Sequence, residues 1–209
     1  MKRSFSVAVF ILLAAGGLSS CDSFLNQDIP QGTLSGEQVN DPLYIDNICI
    51  SAYAIFISAE DVNSSFSMWN FDVRSDDAYK GGITENDGDV FHQLEISQGI
   101  LTTNWNINDM WVRLYNCLGR VNAAINALNA MDDSYQLKEQ RLGEMRFLRA
   151  YTHFLLKRLY KNIPFVIRPD MTQEEYSQLS NTEFTNDQGW QIIADDLEYA
   201  YSVLPATQV

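Results

Sequence analysis

A chain of 209 residues with 46% hydrophobic content has enough apolar side chains to bury a core, in one domain or two small ones, which excludes disorder as the default. Fourteen Lys and Arg stand against 27 Asp and Glu, a net charge of −13. That balance argues against nucleic acid and against polybasic membrane contacts, and suits neutral ligands or cations.

In chain order, Lys2 and Arg3, an apolar run from Val7 to Leu18, and small residues before Cys21 form the three zones of a secretory signal over residues 1–20. The run is too short to span a bilayer. Leu18-Ser19-Ser20-Cys21 has the pattern of a bacterial lipobox, which predicts that Cys21 is acylated and becomes the first mature residue. A chain held this way is anchored to a membrane and does not cross it. Removing residues 1–20 takes away two basic side chains and no acidic ones, so the mature charge is 12 − 27 = −15. Residues 21–40, with Pro30, Gly32 and Gly36, read as a flexible tether.

Asp41-Pro42 supplies an N-cap and a proline at the first helical position, and Tyr44, Ile48, Ala52 and Ile55 follow at helical spacing. The spacing predicts a helix to about Ala59. Residues 60–104 are then broken by Asn63-Ser64-Ser65, Gly81-Gly82, Asn86-Asp87-Gly88-Asp89 and Gly99 into pieces too short for helices, a loop-rich insert. Asp87-Gly88 suggests a short hairpin, with Val90-Phe91 leading a strand.

From Asn108, the seam Trp111, Leu114, Leu118, Val121, Ile125 and Leu128 alternates steps of three and four and predicts a long helix. The segment from Glu144 to Tyr160 predicts another. Met145, Leu148, Thr152, Leu155 and Leu159 form its apolar stripe, and Phe147, Tyr151 and Phe154 widen that stripe beyond half the circumference, so the helix must pack on two sides. Arg146, Arg149, His153 and Lys157 occupy the remaining strip, and are expected to pair with Asp195, Asp196 and Glu198 of the next helix. Neither His153 nor His92 joins a catalytic motif. Asn162-Ile163-Pro164 stops the helix, since proline lacks the N–H and biases its predecessor away from αR. After a polar stretch, Trp190, Ile193, Leu197, Ala200 and Leu204 predict a helix over 187–204, stopped by Pro205.

Met145 follows Trp111 by 34 positions, the length of one tetratricopeptide unit, while Trp190 follows Met145 by 45. The expected fold is therefore mostly α, with tetratricopeptide-like helix pairs in an α-α superhelix and a loop-rich insert. Cys49 and Cys117 both fall within apolar helical patterns. A disulfide in an oxidising compartment and a pair of buried small hydrophobes are both open, and the apolar setting favours the second. No cysteine or histidine spacing supports a metal.

The order of these features resembles one family. A lipobox, a helix, an insert with Arg74-Ser75-Asp76-Asp77-Ala78-Tyr79, Trp111 and Tyr115 with Asn122, the block Glu144-x-Arg146-Phe147-Leu148-Arg149-Ala150-Tyr151 with Pro164, and Asp195-Asp196-Leu197 through Leu204-Pro205 are together similar to the SusD/RagB family. The resemblance implies a lipid-anchored lipoprotein on the outer-membrane cell surface. It would capture glycans as a lid on a SusC-like TonB-dependent transporter, with no enzymatic activity and no cofactor. Members of that family are far longer, with four helix pairs and a second, irregular half. Residues 41–209 would correspond to the N-terminal SusD-like helical domain, a truncated SusD-like fold. The apolar seam of the 187–204 helix would then lack a partner helix, which leads to the expectation that the 209 residues are a fragment or the product of an interrupted gene, marginal or self-associating alone.

Sugar capture needs flat aromatic faces for pyranose C–H surfaces and carboxylates or amides for hydroxyls, both presented most easily by loops. The candidates are Trp69, Tyr79 and Phe91 in the insert, Trp105 beside it, and Asp76 with Asp77. For the aromatics the competing reading is packing of the insert on the helices, and for the aspartates it is turn chemistry. Glu85 to Asp89 lacks the spacing of a calcium loop, so no metal is assigned. A helical protein-interaction scaffold that binds the transporter without glycan is the alternative function. A surface glycosidase would need a carboxylate pair at fixed separation, and no motif places one.

Overall fold

The computed structural model describes residues 41–57 and 72–207. The expected signal peptide, lipobox with Cys21 and tether, and the candidate Trp69, lie outside these residues. The described residues form six α-helices and no strand: α1 (Pro42–Ile57), α2 (Asp89–Glu95), α3 (Trp105–Ala130), α4 (Lys138–Tyr160), α5 (Gln173–Ser177) and α6 (Asn186–Val203), with a 3-10 turn at Asp72–Arg74.

Helices α3 and α4 follow their seams, whereas of the expected α6 seam only Ile193 and Ala200 are buried and Trp190 and Leu197 lie exposed, because Gly189 and Asp196 share the face turned to α4. Leu114, Leu118, Val121, Ile125 and Leu128 of α3 are all buried, whereas Trp111 is half-buried at the edge of the seam. There its ring meets Tyr115 at 4.7 Å and Tyr160 edge-on at 4.8 Å. Helix α4 is sandwiched between α3 and α6, as its broad apolar circumference requires, and α1 packs on α3. Both cysteines are buried thiols, and burial pushes Cys49 up to about 11.

Several expectations need correction. The hairpin at Asp87-Gly88 is instead the start of α2: Gly88, at φ 78°, is its N-cap, and Val90-Phe91 are helical. Positive φ at Asx-Gly suits a helix entry as well as a hairpin, and Phe91 with Leu94 gives the three-residue spacing of a helix face. Helix α3 starts at Trp105, because the Asn104 side chain caps it by accepting from the N–H groups of Asn106 and Ile107. In α4, Phe147 does not widen the buried stripe. It is 46% exposed and stacks on Tyr151 at 6.4 Å. In α1 the buried face is Ile45, Cys49, Ala52, Ile55 and Phe56, rotated from the expected stripe so that Tyr44 and Ile48 sit at its margin.

The basic strip of α4 is interior. Arg149, His153 and Lys157 are all buried. Arg149 grips Asp196 of α6 through Nε to Oδ2 at 2.7 Å and Nη2 to Oδ1 at 2.8 Å, and its Nη1 donates to Ile167 O at 2.8 Å and Asn122 Oδ1 at 3.2 Å. Asn122 in turn donates to Val166 O at 3.0 Å, and Val166 N–H donates to His153 Nε2 at 3.2 Å. Tyr115 hydroxyl donates to Pro164 O at 2.8 Å. The extended run after Pro164 is thus pinned to α3 and α4 by polar groups from both. Lys157 lies 5.1 Å from the Trp190 ring centre. The expected pairing of the strip with α6 holds at Arg149 and, at 3.8 Å, at Arg146, both on Asp196, and burial and the Arg149 charge depress His153 to about 3, so its ring is neutral.

Two glycines allow the close approach of α6. A Cβ on Gly143 would lie 2.4 Å from Val203 Cγ2, and one on Gly189 would lie 2.8 Å from the Phe165 ring. On its outer side α6 leaves Trp190 39%, Leu197 41% and Tyr201 90% exposed.

Candidate functional site

The insert is organised by a small core of its own. Val73 of the 3-10 turn packs with Phe91 and Leu94 of α2, and Val90 and Ile107 close over them. Asn104 ties this core to α3: while its Oδ1 caps that helix, its Nδ2 donates to Val90 O at 3.2 Å and Gln93 Oε1 at 3.1 Å. One side chain thereby fixes the register between α2 and α3.

Upstream, Ser75 Oγ donates to Asp72 O at 2.7 Å and accepts from Asp77 N–H at 3.2 Å. This ST-turn leaves both Asp76 and Asp77 in open solvent. Tyr79 follows, 82% exposed. From Lys80 to Asp87 the chain closes on itself. Lys80 Nζ donates to Gly81 O at 3.1 Å, Thr84 O at 2.9 Å and Asp87 O at 2.8 Å, and Asp87 Oδ2 accepts from Ile83 N–H at 3.3 Å. Ile83 projects from this loop 97% exposed.

Of the sequence candidates, Asp76, Asp77 and Tyr79 share one exposed segment. Trp105 stands on the first turn of α3, 50% exposed, its ring edge-on to Phe91 at 5.7 Å. Phe91 is core, so its packing reading is the correct one. Trp105 combines both readings, packed edge-on to Phe91 and half open to solvent. It is joined to the Asp76–Tyr79 segment through the Phe91–Val73 core. Lys80 and Asn104, which set the geometry, carry no motif. The only sequence trace of the Lys80 loop is Gly81-Gly82 followed by Asn86-Asp87-Gly88.

The arrangement offers an exposed phenol face, a half-exposed indole and two open carboxylates, groups that can stack on and accept hydrogen bonds from a neutral polyhydroxylated ligand. Among the described residues, no group of three His, Cys, Asp or Glu is placed to hold a metal, and no helix is long and apolar enough to cross a membrane. An open cleft of about 700 Å³ lies elsewhere, on α5 and the segments flanking it, lined by residues that include Arg168, Met171, Glu174 and Glu183. None of the candidates borders it. Arg168 there is engaged by Glu175, which also closes the capping box of α5 with Thr172.

Comparison with known proteins places the chain as a whole. The profile of the SusD-like family described as "starch-binding associating with outer membrane" matches residues 24–209. A curated relative, SusD-like protein P2 of Formosa agariphila, is 28% identical over 105 residues. That stretch is 50% of this chain and 20% of the relative, so the match spans about a fifth of the relative's length.

Proposed function

We propose, since this chain belongs to the SusD-like family of starch-binding proteins associated with the outer membrane, that it is a glycan-capturing lipoprotein that hands oligo- or polysaccharide to a SusC-like TonB-dependent transporter. The observation that carries this reading is the family match over residues 24–209. Cys21 is its lipid anchor, placing it on the cell surface of the outer membrane. Capture is non-covalent: Tyr79 and Trp105, with Trp69, stack on pyranose faces, and Asp76 and Asp77 accept from hydroxyls. Such sites do no bond-breaking, so the protein binds and delivers without acting as an enzyme.

The test is affinity electrophoresis in gels containing amylopectin, pullulan, xylan, pectin or laminarin. The full chain is compared with a variant carrying Tyr79→Ala and Trp105→Ala. Taking the about 1–3 kcal/mol that an aromatic platform contributes to stacking on a nucleobase as the scale, the double variant is expected to lose most of its retardation. Unchanged retardation would remove both residues from the site. Retained binding to the transporter with no retardation in any gel would instead select the scaffold reading.

A further inference from the structure

The loop that follows Tyr79 is ordered by an ammonium and not by a core. Its outermost apolar side chain, Ile83, is 97% exposed and contributes no burial. Lys80 fills all three of its N–H donors with the carbonyls of Gly81, Thr84 and Asp87, at 2.8–3.1 Å. The wrap demands backbone that glycine adopts at no steric cost: Gly81 and Gly82 have φ of 75° and 87°. A Cβ on Gly82 would also lie 2.6 Å from Asp87 Oδ2. Asp87 seals the far side, its N–H donating to Thr84 O at 3.1 Å and its carboxylate accepting from Ile83 N–H. Beyond it Gly88 turns directly into α2 and the Phe91–Val73 core. The loop is therefore anchored at both ends and held in the middle by one charge.

We propose that Lys80 is a positioning residue for glycan capture: its ammonium, caged by three carbonyls of its own loop, holds Tyr79 in place before ligand arrives. This rests on the reading that Tyr79 belongs to the glycan site. A platform on a loose loop must be ordered when it binds, at about 1–2 kcal/mol for each backbone residue fixed. A preformed loop avoids that cost. Lysine suits the task because its head is a compact, strongly hydrogen-bonding point charge on a flexible stem, where a planar guanidinium would not fit between three converging carbonyls. The same carbonyls face water once the ammonium is removed, so its loss leaves no buried unsatisfied group and the global fold is unaffected.

The experiment compares the full chain, Lys80→Met, Lys80→Ala and Tyr79→Ala, using whichever polysaccharide of the panel retards the wild type. Lys80→Met keeps an apolar stem and deletes the charge. It is expected to weaken retention roughly 5- to 30-fold, the fixing of one backbone residue expressed as affinity. Amide exchange at Ile83 and Asp87 should accelerate while the melting midpoint stays unchanged. Propylammonium, which restores the missing stem and head to Lys80→Ala, should recover retention and protection, where sodium at equal ionic strength does not. Wild-type retention in Lys80→Met, or unaltered protection of those two amides, overturns the positioning role while Tyr79→Ala still reports on the site. A lowered melting midpoint would make Lys80 a stability residue and also overturn it. If Tyr79→Ala binds as the wild type does, the site reading itself fails and the inference falls with it.

Discussion

Replacing Asp196 with Asn tests the buried polar centre between α4 and α6. The change preserves shape but removes the charge that Arg149 faces. The wild-type carboxylate accepts two charge-assisted bonds, at 2.7 and 2.8 Å, and both partners are buried, Arg149 at 7% and Asp196 at 3% exposure. An amide offers one oxygen and must point its own N–H groups at the guanidinium, so at least one bond becomes a repulsive contact. Arg149 keeps Ile167 O and Asn122 Oδ1, both neutral, and Arg146 loses its distant partner at 3.8 Å. Breaking one side of such a buried pair costs about 3–5 kcal/mol. At about 2–4 °C per kcal/mol for a chain of this size, the melting midpoint should fall by roughly 6–20 °C. Urea titration followed by tryptophan fluorescence gives the free energy directly, with Trp190 on α6 as a local reporter. The charge-free double replacement Arg149→Met with Asp196→Leu should recover part of the loss, because the pair exchanged for packed apolar groups is close to neutral while Ile167 O and Asn122 Oδ1 lose their Arg149 donor. A loss below about 1 kcal/mol for Asp196→Asn, the range of an exposed pair, would refute the account of this interface.

Three further outcomes follow from the same geometry. His153 is neutral in the fold, its pKa pulled down to about 3 from an ordinary 6.5, so the unfolded chain binds the extra proton between those values. Its contribution is complete above pH 6.5 and is lost as pH falls, at up to about 1.4 kcal/mol per unit; the urea midpoint should decline from pH 6.5 to 5, and His153→Gln should flatten that slope. Gly189→Ala gains about 1 kcal/mol of helix propensity but drives a methyl to 2.8 Å from the buried Phe165 ring, and overpacking at about 1–3 kcal/mol makes the net change destabilising in the same titration. Asn104→Ala removes the α3 cap and the two bonds to α2 together, so a loss of about 1–2 kcal/mol is expected, with faster amide exchange at Asn106 and Ile107.

The long helices were legible because their seams are periodic and their stops are chemical: Pro164 and Pro205 end runs whose apolar positions recur every three or four residues. The Arg149–Asp196 pair was legible for a different reason, since in a chain so rich in acid a basic strip on one helix meets carboxylates on its neighbour. The depth of that strip was not, because residue type alone sets His153 and Lys157 as polar, and only tertiary packing shows the run after Pro164 against His153 and α6 against Lys157. The start of α3 was missed because Asn104 reads as one more loop residue until its amide is seen joining two helices. Phe91 illustrates the ambiguity in the insert: an aromatic in a loop-rich stretch has the same sequence signature whether it faces a ligand or a three-residue core. The Lys80 loop left almost no trace, since carbonyl acceptors belong to the backbone and carry no side-chain identity.

The central claim is that this surface captures glycan and does nothing covalent to it. The most direct measurement is affinity electrophoresis of the full chain across the polysaccharide panel, with reducing-sugar release assayed on the same mixtures. The account predicts retardation by at least one polysaccharide with no reducing ends produced above background. Unretarded migration in every gel, or release of reducing sugar from any polysaccharide, would contradict it.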